Sequence, residues 1–412
     1  MIYRFITEKL IDTLQSRPVV FLNGPRQVGK STLVQWLAKN KHQAEYYTLD
    51  DMNVLSAIQS DPVGFISGLN GPVILDEIQR APNLFLSIKA AVDSDRSPGR
   101  FLLTGSSHLM TLPKLSDALV GRMSILPLLP LSAGEIKKNK LNLVDHLFSN
   151  EPINEMNSSV SLDKIEKAVF LGGFPEVVGI KNQARRSDWF NDYLNTIIQR
   201  DVRDISNIVG LAELPKLLRL LANQSGQLFN LANLSRKTGI EQKTIKRYVS
   251  LLESVFIICS LPAWSTNMGK RLIKTPKVYF NDTGLLAHLL DVSFGKYPPH
   301  IIGYILENYV LLELMKMSSW SAHKINFYYY RTSNGVEVDI VMEDAQGKIV
   351  AIEVKRSSTI NIQDSRGIMD LQTFHADAFH RGVIFYSGEK VIPFDKNIHA
   401  IPTGNFLGGK SN

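Results

Sequence analysis

The chain has 412 residues and a formal net charge of +7, long enough for two or three domains with substantial cores. Its single cysteine, Cys259, excludes an intramolecular disulfide framework and is expected to be a buried, inert thiol. The first residues lack a secretory layout, and the apolar run 125–131 is broken by Pro127 and Pro130. No membrane span is expected, and a cytoplasmic location follows.

Residues 19–22 (Val-Val-Phe-Leu) form a short apolar run that reads as a buried strand. The octet Gly24-Pro25-Arg26-Gln27-Val28-Gly29-Lys30-Ser31 follows, a complete phosphate-binding loop of the form G-x-x-x-x-G-K-S. Its glycines let backbone N–H groups turn inward around a triphosphate. Lys30 reaches the outer phosphates, the Ser31 hydroxyl suits Mg²⁺, and Thr32 opens the next turn. Residues 31–39 read as a helix with Leu33, Trp36 and Leu37 on one side, so a helix N-terminus faces the anion. ATP and Mg²⁺ are the ligands this pattern implies.

Apolar runs at 44–50, 72–77 and 100–106 supply further strands, separated by helical sequence. A parallel sheet covered on both faces is expected. Leu75-Asp76-Glu77 ends its strand in the manner of a Walker B element, Asp76 for Mg²⁺ and Glu77 for polarising the attacking water. Thr104-Gly105-Ser106-Ser107 ends the next strand, either as a sensor of the γ-phosphate or as a polar turn. Arg122 reads as an arginine finger, acting in cis or on a neighbouring subunit, or as a structural ion pair. Arg200 reads more readily as part of a helix-surface charge network than as a phosphate sensor. Residues 149–161 read as a surface loop.

From 181 to 280 there are 16 Lys or Arg against 7 Asp or Glu, a local excess of +9 that suits a polyanion. Here the periodicity predicts a helix on Leu214, Leu217, Leu218 and Leu221, a short one at 231–239, and a third at 241–254. Strands follow at 255–261 and 277–280. Three helices and a β-ribbon make the winged helix-turn-helix plan. Lys243, Lys246 and Arg247 lie opposite the apolar face of the third helix, and Arg236 and Lys237 precede it. Lys270, Arg271, Lys274 and Lys277 extend the cationic surface into the wing. Nucleic acid, DNA first, is the expected partner; protein docking is the other reading.

The last segment opens with a helix through Ile305, Tyr309, Leu312 and Met315, followed by strands at 326–331, 336–342, 348–354 and 382–386. Alternation puts Glu337 and Asp339 on one face of a strand, and Glu353 and Lys355 on one face of the next. Such a set suits Mg²⁺-assisted phosphodiester hydrolysis. Asp339 and Glu353 would hold the metal, Glu307 would complete its shell, and Lys355 would orient water. Cross-strand ion pairs on an exposed hairpin are the alternative.

Taken together, residues 24–32, 73–80 (VILDEIQR), 102–107 (LLTGSS), Gly121-Arg122, 172–176 (GGFPE), 278–284 (VYFNDTG), Gly303, Glu307-Asn308 and 353–355 (EVK) resemble a family of bacterial and archaeal AAA-type ATPases with a C-terminal domain of unknown function. The resemblance implies three parts: an AAA-type P-loop core with helical lid at 1–205, a winged-helix segment at 206–295, and a restriction-endonuclease-like α/β domain at 296–412. By carry-over, Gly24, Gly29, Lys30, Ser31, Thr32, Asp76 and Thr104 surround nucleotide and Mg²⁺, with Glu77 and Arg122 beside the reacting phosphate. Asp339, Glu353 and Lys355 match the nuclease-like core, but Val338 stands where that pattern usually has proline. The function expected is ATP hydrolysis by a DNA-associated protein whose nucleotide state controls a metal-dependent nuclease-like domain. The alternative is a nucleotide-dependent protein-interaction switch with a silent nuclease-like fold. A homo-oligomer is compatible with either.

Overall fold

The computed structural model describes residues 2–106, 121–153, 156–202, 213–267, 271 and 274–408. The chain divides into two compact units. Unit 1 is 1–130 with 253–256, and unit 2 is 131–252 with 257–412.

Unit 1 is an α/β layer structure on a five-stranded parallel sheet, in the order β2 (Glu45–Thr48), β3 (Val73–Asp76), β4 (Phe101–Gly105), β1 (Val19–Asn23), β5 (Met123–Pro127). Burial follows that order. The three central strands are buried at every residue, whereas the edge strands β2 and β5 are partly exposed. Strands that read as continuous apolar runs are those covered on both faces. Phe21, Leu75, Leu103 and Phe101 meet Phe85 and Ile88 of the helix Leu84–Ser94 in one core. The register sets Asn23 beside Gly105 and Leu22 beside Thr104, and Leu75 beside Leu103. The carboxyl ends of β1, β3 and β4 therefore lie together, where open α/β sheets hold their ligands.

Unit 2 contains a six-stranded mixed sheet in the order β12 (Ile392–Asp395), β13 (Ile398–Pro402), β11 (Phe379–Tyr386), β10 (Ile349–Val354), β9 (Glu337–Glu343), β8 (Asn326–Arg331). It also holds an antiparallel ribbon of β6 (Ile258–Leu261) and β7 (Lys277–Phe280), after the helices Leu214–Ala222, Leu231–Thr238 and Gln242–Ser254. The 20-residue helix Ile301–Trp320 is buried at most positions, including Asn308, Glu313 and Lys316. These three side chains are each hydrogen-bonded, as burial demands. Asn308 brackets Phe280: Oδ1 accepts from its N–H at 3.0 Å and Nδ2 donates to its carbonyl at 2.8 Å.

The residues that carry the resemblance interlock here. Asp282 caps the helix Thr283–Leu289 by accepting from Leu285 N–H at 2.9 Å, and also accepts from Gly173 N–H at 2.7 Å. A Cβ on Gly172 would lie 2.3 Å from Asp282 Oδ1, so this approach requires glycine. Residues 131–202 pack with the sequence from 257 onward, because the partners of Gly173 and Ala133 are Asp282 and Glu313. Within 149–161 the described residues form an irregular, mostly exposed stretch, as composition suggested, anchored by buried Ile153, Met156 and Ser158; Ser158 N–H donates to Glu389 O at 2.8 Å.

Candidate functional site

The loop after β1 is shaped by its glycines. Gly24 has φ +152° and sits so close to Leu128 that a Cβ would lie 2.1 Å from the Leu128 carbonyl oxygen. Gly29, at φ +93°, starts the helix Lys30–Asn40 from the left-handed region. Lys30 is buried, and its ammonium donates to the carbonyls of Gly24 at 3.0 Å and Pro25 at 2.7 Å. Arg4 holds the loop from outside: Nη1 donates to Val28 O at 2.8 Å and Nη2 to Leu129 O at 2.6 Å. Ser31 is half-buried and Thr32 exposed.

Asp76 is buried at the end of β3. Its Oδ2 accepts from Tyr46 OH at 2.8 Å, and its Oδ1 accepts from the Thr104 hydroxyl. Burial and this bond push the Tyr46 hydroxyl up to about 12. Thr104 in turn accepts from Glu77 N–H at 3.1 Å, so its hydroxyl joins β4 to the acidic pair. Glu77 adopts φ +61°, ψ +44°, an uncommon conformation for a non-glycine residue, and Gln79 Nε2 bonds its carboxylate and Ser106 Oγ, the latter at 3.0 Å. Backbone strain of this kind concentrates at functional sites. Asp76 thus takes two hydroxyl donors at the end of its strand, and its carboxylate and the Ser31 hydroxyl are oxygen ligands of the kind that suit Mg²⁺. Sequence reading did not find Arg4, Tyr46 or Gln79; only their long-range partners give them meaning.

Arg122 lies at the other end of the sheet. Met123 pairs with Val19, the first residue of β1, whereas the phosphate loop begins after Asn23, about 13 Å further on at about 3.3 Å per residue. Arg122 Nε donates to Asp93 Oδ1 at 2.6 Å, and this bond draws the Asp93 carboxyl below its ordinary value. Of the readings open to Arg122, the described geometry shows the structural ion pair and sets the side chain at the opposite strand end from its own loop. Ser107, Arg203 and Lys270, together with the Arg200 side chain, lie outside the described residues.

In unit 2, β9 and β10 pair antiparallel with Ile352 opposite Ile340, which brings Asp339 and Glu353 together as expected. Asp339 Oδ2 accepts from Val354 N–H at 2.9 Å, and Glu353 Oε2 accepts from Lys355 Nζ at 3.2 Å. Glu307 Oε1 accepts from Tyr279 OH at 2.5 Å and Lys277 Nζ at 3.4 Å, while Glu337 pairs with Arg331. Burial and the Asp339 charge push Glu307 up to about 7 and Glu353 well above its ordinary value. Burial alone would lower Lys277 and Lys355; the surrounding carboxylates outweigh it and raise both. Among the described residues no group of three or more His, Cys, Asp or Glu side chains is placed to hold a metal ion. Lys277 and Lys355 are instead ion-paired with Glu307 and Glu353. A polar cavity of about 390 Å³ opens on Lys277, Glu307, Arg331, Glu337 and Asp339.

The cationic surface is smaller than its composition suggested. Arg236, Lys237, Lys243, Lys246 and Arg247 are exposed. The wing set is not free. Arg271 forks onto Glu343 at 2.6 and 2.8 Å between Trp264 and Tyr328, Lys277 is buried, and Lys274 Nζ reaches Arg331 O at 3.3 Å.

Residues 16–137 match the model of an AAA domain. Residues 162–295 and 302–406 match two domains of unknown function, DUF8612 and DUF4143. An uncharacterized protein of Mycobacterium tuberculosis is 30% identical over 406 residues, covering 97% of this chain and 83% of that protein. The chain belongs to the same family. An uncharacterized protein of Methanocaldococcus jannaschii is 25% identical over 340 residues, or 80% of this chain and 72% of that protein. The Walker-type ATPase of Pyrococcus abyssi is similar with a TM-score of 0.46 and 16% identity, covering 70% of this chain and 96% of its own. The family member described here is thus an AAA-type protein with a DUF4143 domain, and its AAA domain implies a nucleotide, ordinarily with Mg²⁺. No helix among the described residues is long and apolar enough to cross a membrane.

Proposed function

We propose that the protein binds and hydrolyses ATP at the loop of unit 1, and that nucleotide state switches an interaction made by unit 2. The observation that carries this reading is the buried Lys30 ammonium inside the Gly24–Gly29 loop, at the strand ends that also present Asp76 and Glu77. Backbone N–H groups of the loop and Lys30 would take the β- and γ-phosphates. Ser31 and Asp76 would hold Mg²⁺, which when bound neutralises charge on the phosphate oxygens. Glu77 orients a water and takes its proton as the water oxygen bonds to the γ-phosphorus and ADP leaves. Thr104 fixes both acidic residues and so couples β4 to the phosphate site. Arg122, at the far end of the strands, acts on the nucleotide of an adjacent copy.

The shared site is tested by mixing. Lys30→Ala and Arg122→Ala proteins are each inactive in phosphate release, and the mixture regains up to about a quarter of wild-type turnover, because some interfaces join an intact loop to an intact finger. No recovery at any ratio, with Arg122→Ala inactive and folded, removes the finger in trans.

For unit 2 we infer a winged-helix module with the exposed cations on its third helix, and a restriction-endonuclease-like fold that is catalytically silent. What favours silence is the engagement of Glu307 and Glu353 by Lys277 and Lys355. A labelled DNA duplex with Mg²⁺ should be retarded but not cut. Lys246→Glu with Arg247→Glu should weaken retention by about tenfold or more and flatten its salt dependence by about two contacts. Cutting that Asp339→Ala abolishes would restore the nuclease reading.

A further inference from the structure

A second cavity in unit 2, of about 370 Å³, lies apart from the carboxylate cluster and has no part in the function proposed above. Its volume falls within the usual range for small-molecule sites. Leu131, Ile136, Val160, Leu171 and Leu407 supply apolar lining. One wall is a single helix face: Lys164, Lys167, Ala168 and Leu171 of the helix Leu162–Leu171 recur at i, i+3, i+4 and i+7. Along that face the polarity changes from exposed lysines to a half-buried apolar helix end.

Two observations at the polar groups define what the cavity takes. Tyr309 lines it and is 4% exposed, yet its hydroxyl has no hydrogen-bond partner among the described residues. A buried hydroxyl without a partner is costly, and an oxygen-bearing ligand would satisfy it. The charged pair nearby is already complete. Lys316 Nζ donates to Glu313 Oε1 at 2.8 Å and to Leu131 O at 3.1 Å, while Glu313 Oε2 accepts from Ala133 N–H at 2.8 Å. No lone carboxylate is left to attract a cation. The exposed charges on the lining, Lys137, Lys164 and Lys167, are all positive.

We propose that this cavity binds an amphipathic organic monoanion, its apolar tail among Leu131, Val160 and Leu171 and its head between the lysines and the Tyr309 hydroxyl. The chemistry is that of a medium-chain carboxylate. Nucleotides fit it poorly, since most of the wall offers no hydrogen bond to a base or sugar.

The test is calorimetry of the full-length protein with sodium decanoate below its micellar concentration, with decan-1-ol and decyltrimethylammonium as comparators. Decanoate is expected to bind at one saturable site, at least about tenfold more tightly than decan-1-ol, and the cation not at all. Ala168→Trp fills the cavity and should abolish binding. Lys164→Glu with Lys167→Glu lies on the surface, poses no folding problem, and should weaken decanoate by about tenfold or more while sparing decan-1-ol. Tyr309→Phe should weaken decanoate by several-fold. The proposal is overturned if decanoate gives no saturable heat, if the cation binds as well as the anion, or if the surface double variant binds decanoate as the wild type does.

Discussion

Replacing Lys30 by alanine should reduce ATP turnover by a factor of about 10³ or more while leaving the fold intact. The reasoning starts from where the ammonium rests. It is buried against the Gly24 and Pro25 carbonyls at 3.0 and 2.7 Å, so it is already desolvated and aimed into the loop. A cation held in place before the reaction stabilises charge developing on the phosphates with little reorganisation, and a low-dielectric site magnifies that effect. Alanine removes the charge but leaves the glycines and the Arg4 clamp on Val28 and Leu129 that shape the loop. The thermal midpoint should therefore move little. Glu77→Gln separates the two roles: it should keep Mg-ATP binding and lose hydrolysis, because the amide cannot take the water's proton. Phosphate release and calorimetry with Mg-ATP read both variants. Wild-type turnover in folded Lys30→Ala protein would sink the assignment of the loop.

The nucleotide half of the molecule was readable in sequence because its signals are local. An apolar run, a glycine loop and an amphipathic helix sit within 22 consecutive residues, Val19 to Asn40, and each is legible without its neighbours. The paired strands carrying Asp339 and Glu353 were readable for the same reason, a period of two on either side of a tight turn. What sequence hid depends on distant partners. Lys277 reads as a wing cation until Glu307, 30 residues later, is seen to take it. Tyr279 shares its strand face at a spacing of two, the one local signal that could have linked them. Arg271 looked available for phosphates, yet Glu343 lies 72 residues away in sequence and neutralises it. The strands Ile392–Asp395, at the sheet edge, and Ile398–Pro402, next to it, escaped notice because they are short, contain Pro393 and Pro402, and alternate weakly. Composition counts charges; it does not reveal which are already paired.

Lys277→Met should destabilise the protein by about 3–5 kcal/mol at pH 8 and by less than about half of that at pH 5. Methionine keeps most of the stem volume, so the change isolates the charge. The carboxylates facing Lys277 are Glu307, Asp339 and Glu337. With Lys277 present, Glu307 holds its proton up to about 7 in the folded chain, against an ordinary 4.5. The folded state therefore binds more protons than the unfolded state between these values. The free energy of unfolding falls as pH rises through that window and levels off above it. Removing the ammonium takes away the main attraction that lets Glu307 ionise, so its proton is held to still higher pH. The fall then continues past 7, and the gap between variant and wild type widens with pH. Urea unfolding followed by tryptophan fluorescence reads this, since Trp189, Trp264 and Trp320 belong to unit 2 and Trp36 alone to unit 1. Adding Glu307→Gln to Lys277→Met should recover part of the loss at pH 8 and little at pH 5, because it removes a carboxyl group that the folded variant must keep protonated at a pH where the unfolded chain ionises it. An equal loss at both pH values would mean that the lysine stem packs the cavity wall and its charge contributes nothing.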